Sequence, residues 1–98
     1  MSLPEPPPVP KFKLGDCFIP SNTLDVLTYE EIVQALRRHQ GGDWGDVDEY
    51  DRLSNEEALK YDLRLHSVYH TTWGAKFYVT TEQDRSMTTI LVPENEAI

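Results

Sequence analysis

The chain has 98 residues, 39% of them hydrophobic, and a formal net charge of -8 from 17 acidic and 9 basic side chains. This length provides for one modest core and excludes a second domain. The sequence contains no run of about 18 apolar residues, which excludes a helical membrane span, and we expect a cytoplasmic protein. Because Cys17 is the only cysteine, an internal disulfide is excluded, and its apolar neighbours predict a small buried thiol.

The first ten residues differ from the rest of the chain. The segment MSLPEPPPVP contains five of the seven prolines and has neither helical nor strand periodicity. It lacks the charged and apolar regions of a signal peptide. We therefore expect a disordered proline-rich tail over residues 1–10 and a single small domain over residues 11–98.

The next part of the chain predicts a strand followed by helices. Residues 11–19 alternate polar and apolar side chains around a Gly-Asp break, which predicts one bent strand or a small hairpin. Residues 21–27 predict a short helical turn. Thr28 and Glu31 form a capping box, and apolar side chains follow at helical spacing. We expect this helix to end near His39, which would cap its C-terminus.

The C-terminal half predicts one more helix and three strands. Ser54 and Glu57 form a second capping box, and Asp62 occupies the position where a left-handed residue ends a helix. Residues 63–92 change to strand periodicity, with two turns, and so predict a three-strand meander. The predicted class is α+β: a mainly antiparallel sheet, made of the N-terminal strand and the C-terminal meander, packed with two or three short helices.

The predicted core takes apolar residues from each of these elements. It consists of Phe12, Leu14, Phe18, Ile32, Leu36, Leu59, Leu65, Phe77, Val79, Ile90 and Leu91. Truncating a buried aromatic such as Phe77 to alanine is expected to cost about 3 to 5 kcal/mol of stability.

Residues 39–51, HQGGDWGDVDEYD, predict a shaped loop rich in acidic groups. Glycines permit a positive φ, and aspartates can bond their own backbone two residues on. Between burial of Trp44 and its use as an exposed anchor for a partner, we favour burial, because an exposed tryptophan reduces solubility. The acidic rim would then be the functional surface. The candidate binding residues in this segment are His39, Asp43, Trp44, Asp46, Asp48 and Asp51.

A second group of candidate binding residues lies in the turn before the last strand. Glu82, Asp84 and Arg85 place two carboxylates beside a guanidinium, which acid–base chemistry could use. A structural role is the better interpretation, because Asp84 can bond the turn backbone and Arg85 can pair with Glu82 or with the acidic loop. The sequence contains no nucleophile elbow, phosphate loop or zinc-ligand spacing. We therefore assign no catalytic residue, no metal ligand and no cofactor.

Two strings resemble a family of small proteins encoded on plasmids and other bacterial mobile elements. They are HxxGDWGD over residues 39–46 and TExDRSxTTxLxP over residues 81–93, accompanied by NEEAL at 55–59. The resemblance covers residues 12–94 and implies a bacterial mobile-element lineage, without implying an activity. The chain departs from the family pattern in its proline-rich lead-in and at Asp62, where relatives tend to have glycine.

Charge predicts what kind of partner such a domain would bind. Residues 43–57 contain seven acids and one base, a local balance of -6 out of the total of -8. This segment repels nucleic acid and attracts basic protein surfaces. The leading hypothesis is a small acidic, non-enzymatic interaction or regulatory domain that binds a basic protein, such as host defence or nucleic-acid-processing machinery. The acids could instead serve only solubility.

An enzyme is the second hypothesis. A divalent-metal-dependent hydrolase or nuclease would gather carboxylates from the loop and from the turn around one ion. Its ligands would be Asp43, Asp46, Glu82 and Asp84. This hypothesis requires the loop of residues 39–51 and the turn of residues 82–86 to lie side by side in the fold.

Overall fold

The computed structural model describes residues 9–93. Residues 1–8, which belong to the predicted disordered tail, lie outside the described residues. The elements in chain order are β1 (Asp16–Phe18), α1 (Ser21–Leu24), α2 (Tyr29–Gln40), α3 (Glu49–Tyr61), β2 (Leu65–His70), β3 (Lys76–Thr81) and β4 (Met87–Leu91). The predicted α+β class is confirmed. Among residues 9–93, none of the helices combines the length and the apolar composition that a bilayer-spanning segment requires.

The four strands form one mixed sheet in the order β1-β4-β3-β2. The predicted meander is confirmed, because β2 pairs with β3 and β3 with β4, both antiparallel. Strand β1 pairs with β4 in parallel, which the long connection between them permits. The prediction of a strand over residues 11–14 was wrong. Lys11 N donates to Gln40 O at 2.8 Å, so this segment bonds to the end of α2 rather than to the sheet.

Helix α2 begins as the sequence predicts. Thr28 N donates to Glu31 Oε1 at 2.9 Å, and Glu31 N donates to Thr28 Oγ1 at 3.1 Å, which completes the capping box. Two cationic residues, Arg37 and Arg38, lie in its last turn, before the C-cap at Gly41. This arrangement stabilises the negative end of the helix dipole.

Helix α3 begins six residues earlier than predicted. Its N-cap is Asp48, whose Oδ1 accepts from Asp51 N at 2.8 Å, so the capping box at Ser54 was wrong and Ser54 lies inside the helix. Residues 49–51, the end of the stretch predicted as loop, are therefore the first turn of α3. The C-terminal end is confirmed, because Asp62 adopts the left-handed conformation with φ of 53°.

The helices cover one face of the sheet, where α2 packs on β3 and α3 on β2. Alternate side chains of β2, β3 and β4 are buried on that face, as the period of two predicts. Five predicted core residues are buried there: Ile32, Leu65, Phe77, Val79 and Ile90. Four others are half-buried: Phe12, Leu14, Leu36 and Leu59.

Three predictions of burial were wrong, each for residues near the β1 edge of the sheet. Phe18 pairs with Thr89, and both lie on the sheet face opposite the helices. Leu91 lies on the same opposite face, so both apolar side chains are exposed. Cys17 is exposed too, because its strand is the edge strand. Strand periodicity identifies two faces, but it does not identify which residues the helices reach.

Candidate functional site

The acidic loop closes the outer edge of β2. Gly45 forms a parallel bridge with Val68, where Asp46 N donates to Val68 O at 2.7 Å and Val68 N donates to Trp44 O at 3.1 Å. A strand edge with unpaired backbone groups is a template for aggregation. Paired in this way, the loop acts as a short additional strand and protects that edge.

A side chain protects the neighbouring position of the same edge. Asn55 of α3 donates from Nδ2 to His66 O at 2.8 Å and accepts from His66 N at 3.0 Å through Oδ1. The amide of Asn55, buried in the fold, thus replaces the backbone of a missing strand. Loop and helix together satisfy the outward backbone groups of His66 and Val68.

Gly45 is the residue that allows the loop to approach the sheet so closely. Its φ is +75°, and a Cβ at this position would lie 2.0 Å from Val68 O. A backbone oxygen cannot move away without breaking the bridge. Only glycine fits this position, both for its conformation and for the space available.

Trp44 is buried, with 4% of its surface exposed, which confirms the preferred prediction. Its ring stacks on Phe12 with centroids 6.4 Å apart and meets the edge of His39 at 5.7 Å. The indole Nε1 donates to Glu56 Oε2 of α3 at 2.7 Å. Trp44 therefore fastens the loop to α3 from inside the molecule and does not reach a partner directly.

His39 is fully buried, so the prediction that it caps α2 was wrong. It lies on the same buried side of the helix as Ile32 and Ala35. Its Nδ1 lies 2.6 Å from Ser67 Oγ, and its Nε2 lies 2.9 Å from Thr81 Oγ1. The imidazole joins α2 to two strands of the sheet.

The hydrogen bonds around His39 have one consistent direction. Thr88 Oγ1 donates to Leu14 O at 2.7 Å, so its oxygen accepts from Thr81 Oγ1, also at 2.7 Å. Thr81 must then accept from His39 Nε2, which carries the proton, and His39 Nδ1 accepts from the Ser67 hydroxyl. All five groups are satisfied by one chain of bonds. Because Ser67 and His39 are fully buried, this serine–histidine pair has no access to a substrate.

Burial keeps His39 neutral. Desolvation lowers its pKa to about 3, with smaller contributions from the charges of His66 and Arg85. The protonated form would have no acceptor for a second ring proton unless Ser67 turned its hydroxyl. His39 is thus a structural polar residue whose network depends on its neutral state.

Arg85 also has a different role from the one predicted. It donates from Nη1 to Leu63 O at 2.6 Å and to Glu82 O at 3.0 Å, and from Nη2 to Ala58 O at 3.0 Å. These acceptors are backbone carbonyls, two of which lie at the C-terminal end of α3, where a cation is favourable. Its guanidinium lies over the ring of Phe12 at 5.7 Å. The turn therefore meets the loop through Arg85, Phe12 and the stacked Trp44.

The carboxylates of the enzyme hypothesis bind separate partners. The pairs are Asp43 with Arg38 at 2.8 Å, Asp46 with His70 at 2.6 Å, Glu82 with Arg64 at 3.7 Å, and Asp84 with the amide of Ser86 at 3.0 Å. The hydrogen bond from Arg38 lowers the pKa of Asp43. Within the described part of the chain, no group of three or more His, Cys, Asp or Glu side chains is arranged to hold a metal ion.

The first turns of α3 have the opposite character to the loop. In these turns of α3 the acidic side chains are exposed to solvent. They lie beside two large exposed apolar residues, Tyr50 at 78% and Leu53 at 52% exposure. We call this surface the acidic face; it comprises Asp48, Glu49, Tyr50, Asp51, Leu53 and Glu57, of which Glu49 pairs with Arg52 at 2.6 Å. Tyr50, Leu53 and Glu57, together with Ser54, Glu56 and Lys60, line an open cavity of about 440 Å³.

Tyr50, Leu53 and Glu57 were missed as site residues. For Tyr50 and Leu53 the reason is the wrong helix start, which left Tyr50 in the predicted loop of residues 39–51 and Leu53 before the predicted helix. Glu57 was inside the predicted helix, where it was interpreted only as part of the capping box. The spacing of Asp48 and Asp51, a capping residue and an acid at the third helical position, was the signal that could have identified the start.

A second concavity, of about 380 Å³, lies on the sheet face opposite the helices. Arg64, His66, Tyr78 and Leu91 are among its lining residues. His66 is engaged there with Thr80 through a 2.9 Å hydrogen bond. Desolvation lowers the pKa of His66.

No protein-family model, no curated protein and no solved structure matches this chain. The functional conclusion therefore depends on the chain's own geometry and charge.

Proposed function

We propose that this protein is a small non-enzymatic interaction or regulatory domain that binds a basic protein partner through its acidic face. One observation carries the proposal: exposed Tyr50 and Leu53 lie among exposed carboxylates on the first turns of α3. Charge alone would serve solubility. Exposed aromatic and aliphatic side chains reduce solubility. Protein interfaces, however, use such side chains as anchors.

The charges indicate the chemistry of the partner. Carboxylates around an apolar centre steer a cationic surface toward it and disfavour partners of like charge. Direct binding to nucleic acid is disfavoured, because the phosphate backbone is itself negative. Proteins that bind nucleic acid have basic surfaces, so they belong to the class we propose. The resemblance to mobile-element proteins directs the search to the cytoplasm of a bacterial host, and to its defence and nucleic-acid-processing proteins.

The test compares two triple variants with the same change in charge. The first, Asp48→Asn, Asp51→Asn and Glu57→Gln, neutralises the acidic face, and asparagine preserves the cap of α3. The second, Asp16→Asn, Asp25→Asn and Glu30→Gln, neutralises exposed acids elsewhere. Each removes three negative charges, from -8 to -5.

Wild type and the second triple variant should recover the same basic protein from bacterial lysate, and the first triple variant should lose it. Equal recovery by all three would show that the acidic face is not the binding surface. Calorimetric titration with magnesium, manganese and calcium completes the test. Saturable binding of one of these ions would favour the metal-dependent hydrolase over the interaction domain.

A further inference from the structure

The outer side of α3 has an apolar stripe that continues beyond the acidic face. Tyr50, Leu53 and Tyr61 follow at helical intervals of three and eight residues, and all three are exposed, Tyr61 at 68%. A helix rises 1.5 Å per residue, so the stripe extends over about 16 Å, or three turns. A partner helix of about three turns would contact the stripe along its whole length.

Acids border this stripe on both sides. By helical geometry Glu56 lies along one side, Asp51 lies along the other, and Glu57 lies within the stripe. Glu49, on the side of Glu56, is already paired with Arg52 at 2.6 Å. The opposite face of α3 is occupied, because Asn55 and Ala58 are buried against the sheet. A ligand that combines apolar and cationic groups matches such a surface.

The cavity beside Tyr50 adds a more specific feature. Glu56 is half-buried at its wall, and the bond from Trp44 Nε1 to Glu56 Oε2 holds that carboxylate in place. Tyr50 presents its exposed ring nearby. A guanidinium can stack on a tyrosine ring while its edge donates to carboxylates, which an ammonium does less well.

We propose that the outer side of α3 docks an amphipathic helix of the partner, with leucine-like side chains on the stripe and arginines beside them. This inference rests on the proposed function. One arginine occupies the cavity between Tyr50, Glu56 and Glu57. Lys60 lines the same cavity and opposes a cation there, so its charge limits the affinity. Trp44 acts as a positioning residue, because it fixes Glu56 without touching the partner.

The probe is a synthetic amphipathic helical peptide of about 14 residues with leucines on one side and arginines flanking them. A second peptide has citrulline in place of each arginine, which preserves the shape and removes the charge. The full chain should bind the arginine peptide at least about tenfold more tightly than the citrulline peptide. Amide NMR shifts caused by the peptide should map to α3.

Point variants separate this docking mode from attraction to any acidic surface. Tyr50→Gln and Leu53→Gln should each weaken the arginine peptide at least about tenfold. Lys60→Gln should strengthen it, because a like charge is removed from the cavity. The matched control is Tyr29→Gln, an 80% exposed tyrosine in the first turn of α2, which should bind as wild type does.

The failures of the two proposals are distinguishable. If the neutralised acidic face loses the peptide while Tyr50→Gln and Leu53→Gln bind normally, the proposed function survives and the helix-docking mode is overturned. Equal binding of the arginine and citrulline peptides, or shifts that map to the cavity around Tyr78, would overturn it as well. If the arginine peptide binds wild type and the neutralised acidic face equally, the proposed function fails too.

Discussion

Two neighbouring acidic segments of this protein differ in the apolar side chains that accompany their charges. In the loop of residues 41–46, Asp43 and Asp46 pair with Arg38 and His70, and Trp44 is buried. In the first turns of α3, a few residues later, the acids surround exposed apolar side chains. Density of charge does not separate the two segments, and neither does pairing, because Glu49 binds Arg52 at 2.6 Å and Asp48 caps α3. The exposed apolar side chains of Tyr50 and Leu53 separate them.

The comparison predicts that the loop governs stability and that the acidic face does not. The largest effect is expected for Gly45→Ala, because its Cβ would lie 2.0 Å from Val68 O in a left-handed conformation. We expect a loss of more than about 4 kcal/mol in the free energy of unfolding, measured by urea denaturation. Gly74→Ala is the control, since it has φ of +96° but no atom within 4 Å of the added Cβ. It should cost about 1 to 2 kcal/mol; equal costs at the two glycines would contradict the edge closure.

The next largest effect is expected from acid. Because burial lowers the pKa of His39 from 6.5 to about 3, the unfolded chain binds more protons than the folded one between these two values. Stability must therefore fall as the pH falls below 6.5, by about 3 kcal/mol at pH 4.5. The His39→Gln variant has no titrating group at this position. It should be less stable than wild type at neutral pH, but its free energy of unfolding should fall less between pH 6.5 and pH 4.5. Parallel stability profiles for wild type and variant would refute a neutral buried His39.

A smaller effect is expected where the loop meets α3. Trp44→Phe retains an aromatic ring but removes the Nε1 donor to Glu56. A hydrogen bond to a charged group contributes about 1.5 to 3 kcal/mol, and we expect a loss of about 2 kcal/mol. A double-mutant cycle with Glu56→Ala isolates the pair. If the two changes are simply additive, Trp44 does not position Glu56.

The smallest effects are expected on the acidic face. Leu53→Gln and Glu57→Gln replace exposed side chains of α3 with a good helix former. Each should change the free energy of unfolding by less than about 0.5 kcal/mol, as determined by urea denaturation. A loss above about 1.5 kcal/mol at Leu53 would mean that this residue supports the fold rather than a partner.

Local signals were enough to predict several parts of the fold. The capping box of Thr28 and Glu31 begins α2, Asp62 ends α3, and alternation over residues 63–92 forms the meander. Each depends on hydrogen bonds or side-chain directions within a few residues. The start of α3 is encoded just as locally, in the Asp48 cap, but the pattern of Ser54 and Glu57 satisfies the same capping rule.

Residue patterns alone predict the α+β class, the antiparallel meander, the loop that contains Trp44 and the concentration of acids over residues 43–57. They do not predict that β1 pairs in parallel with β4, that His39 joins Ser67 and Thr81, or that Arg85 binds the end of α3, which the folded chain alone shows. The physical reason is distance along the chain. Contacts of that kind join residues 22 to 71 positions apart, such as Asp16 and Met87, and no local spacing encodes them.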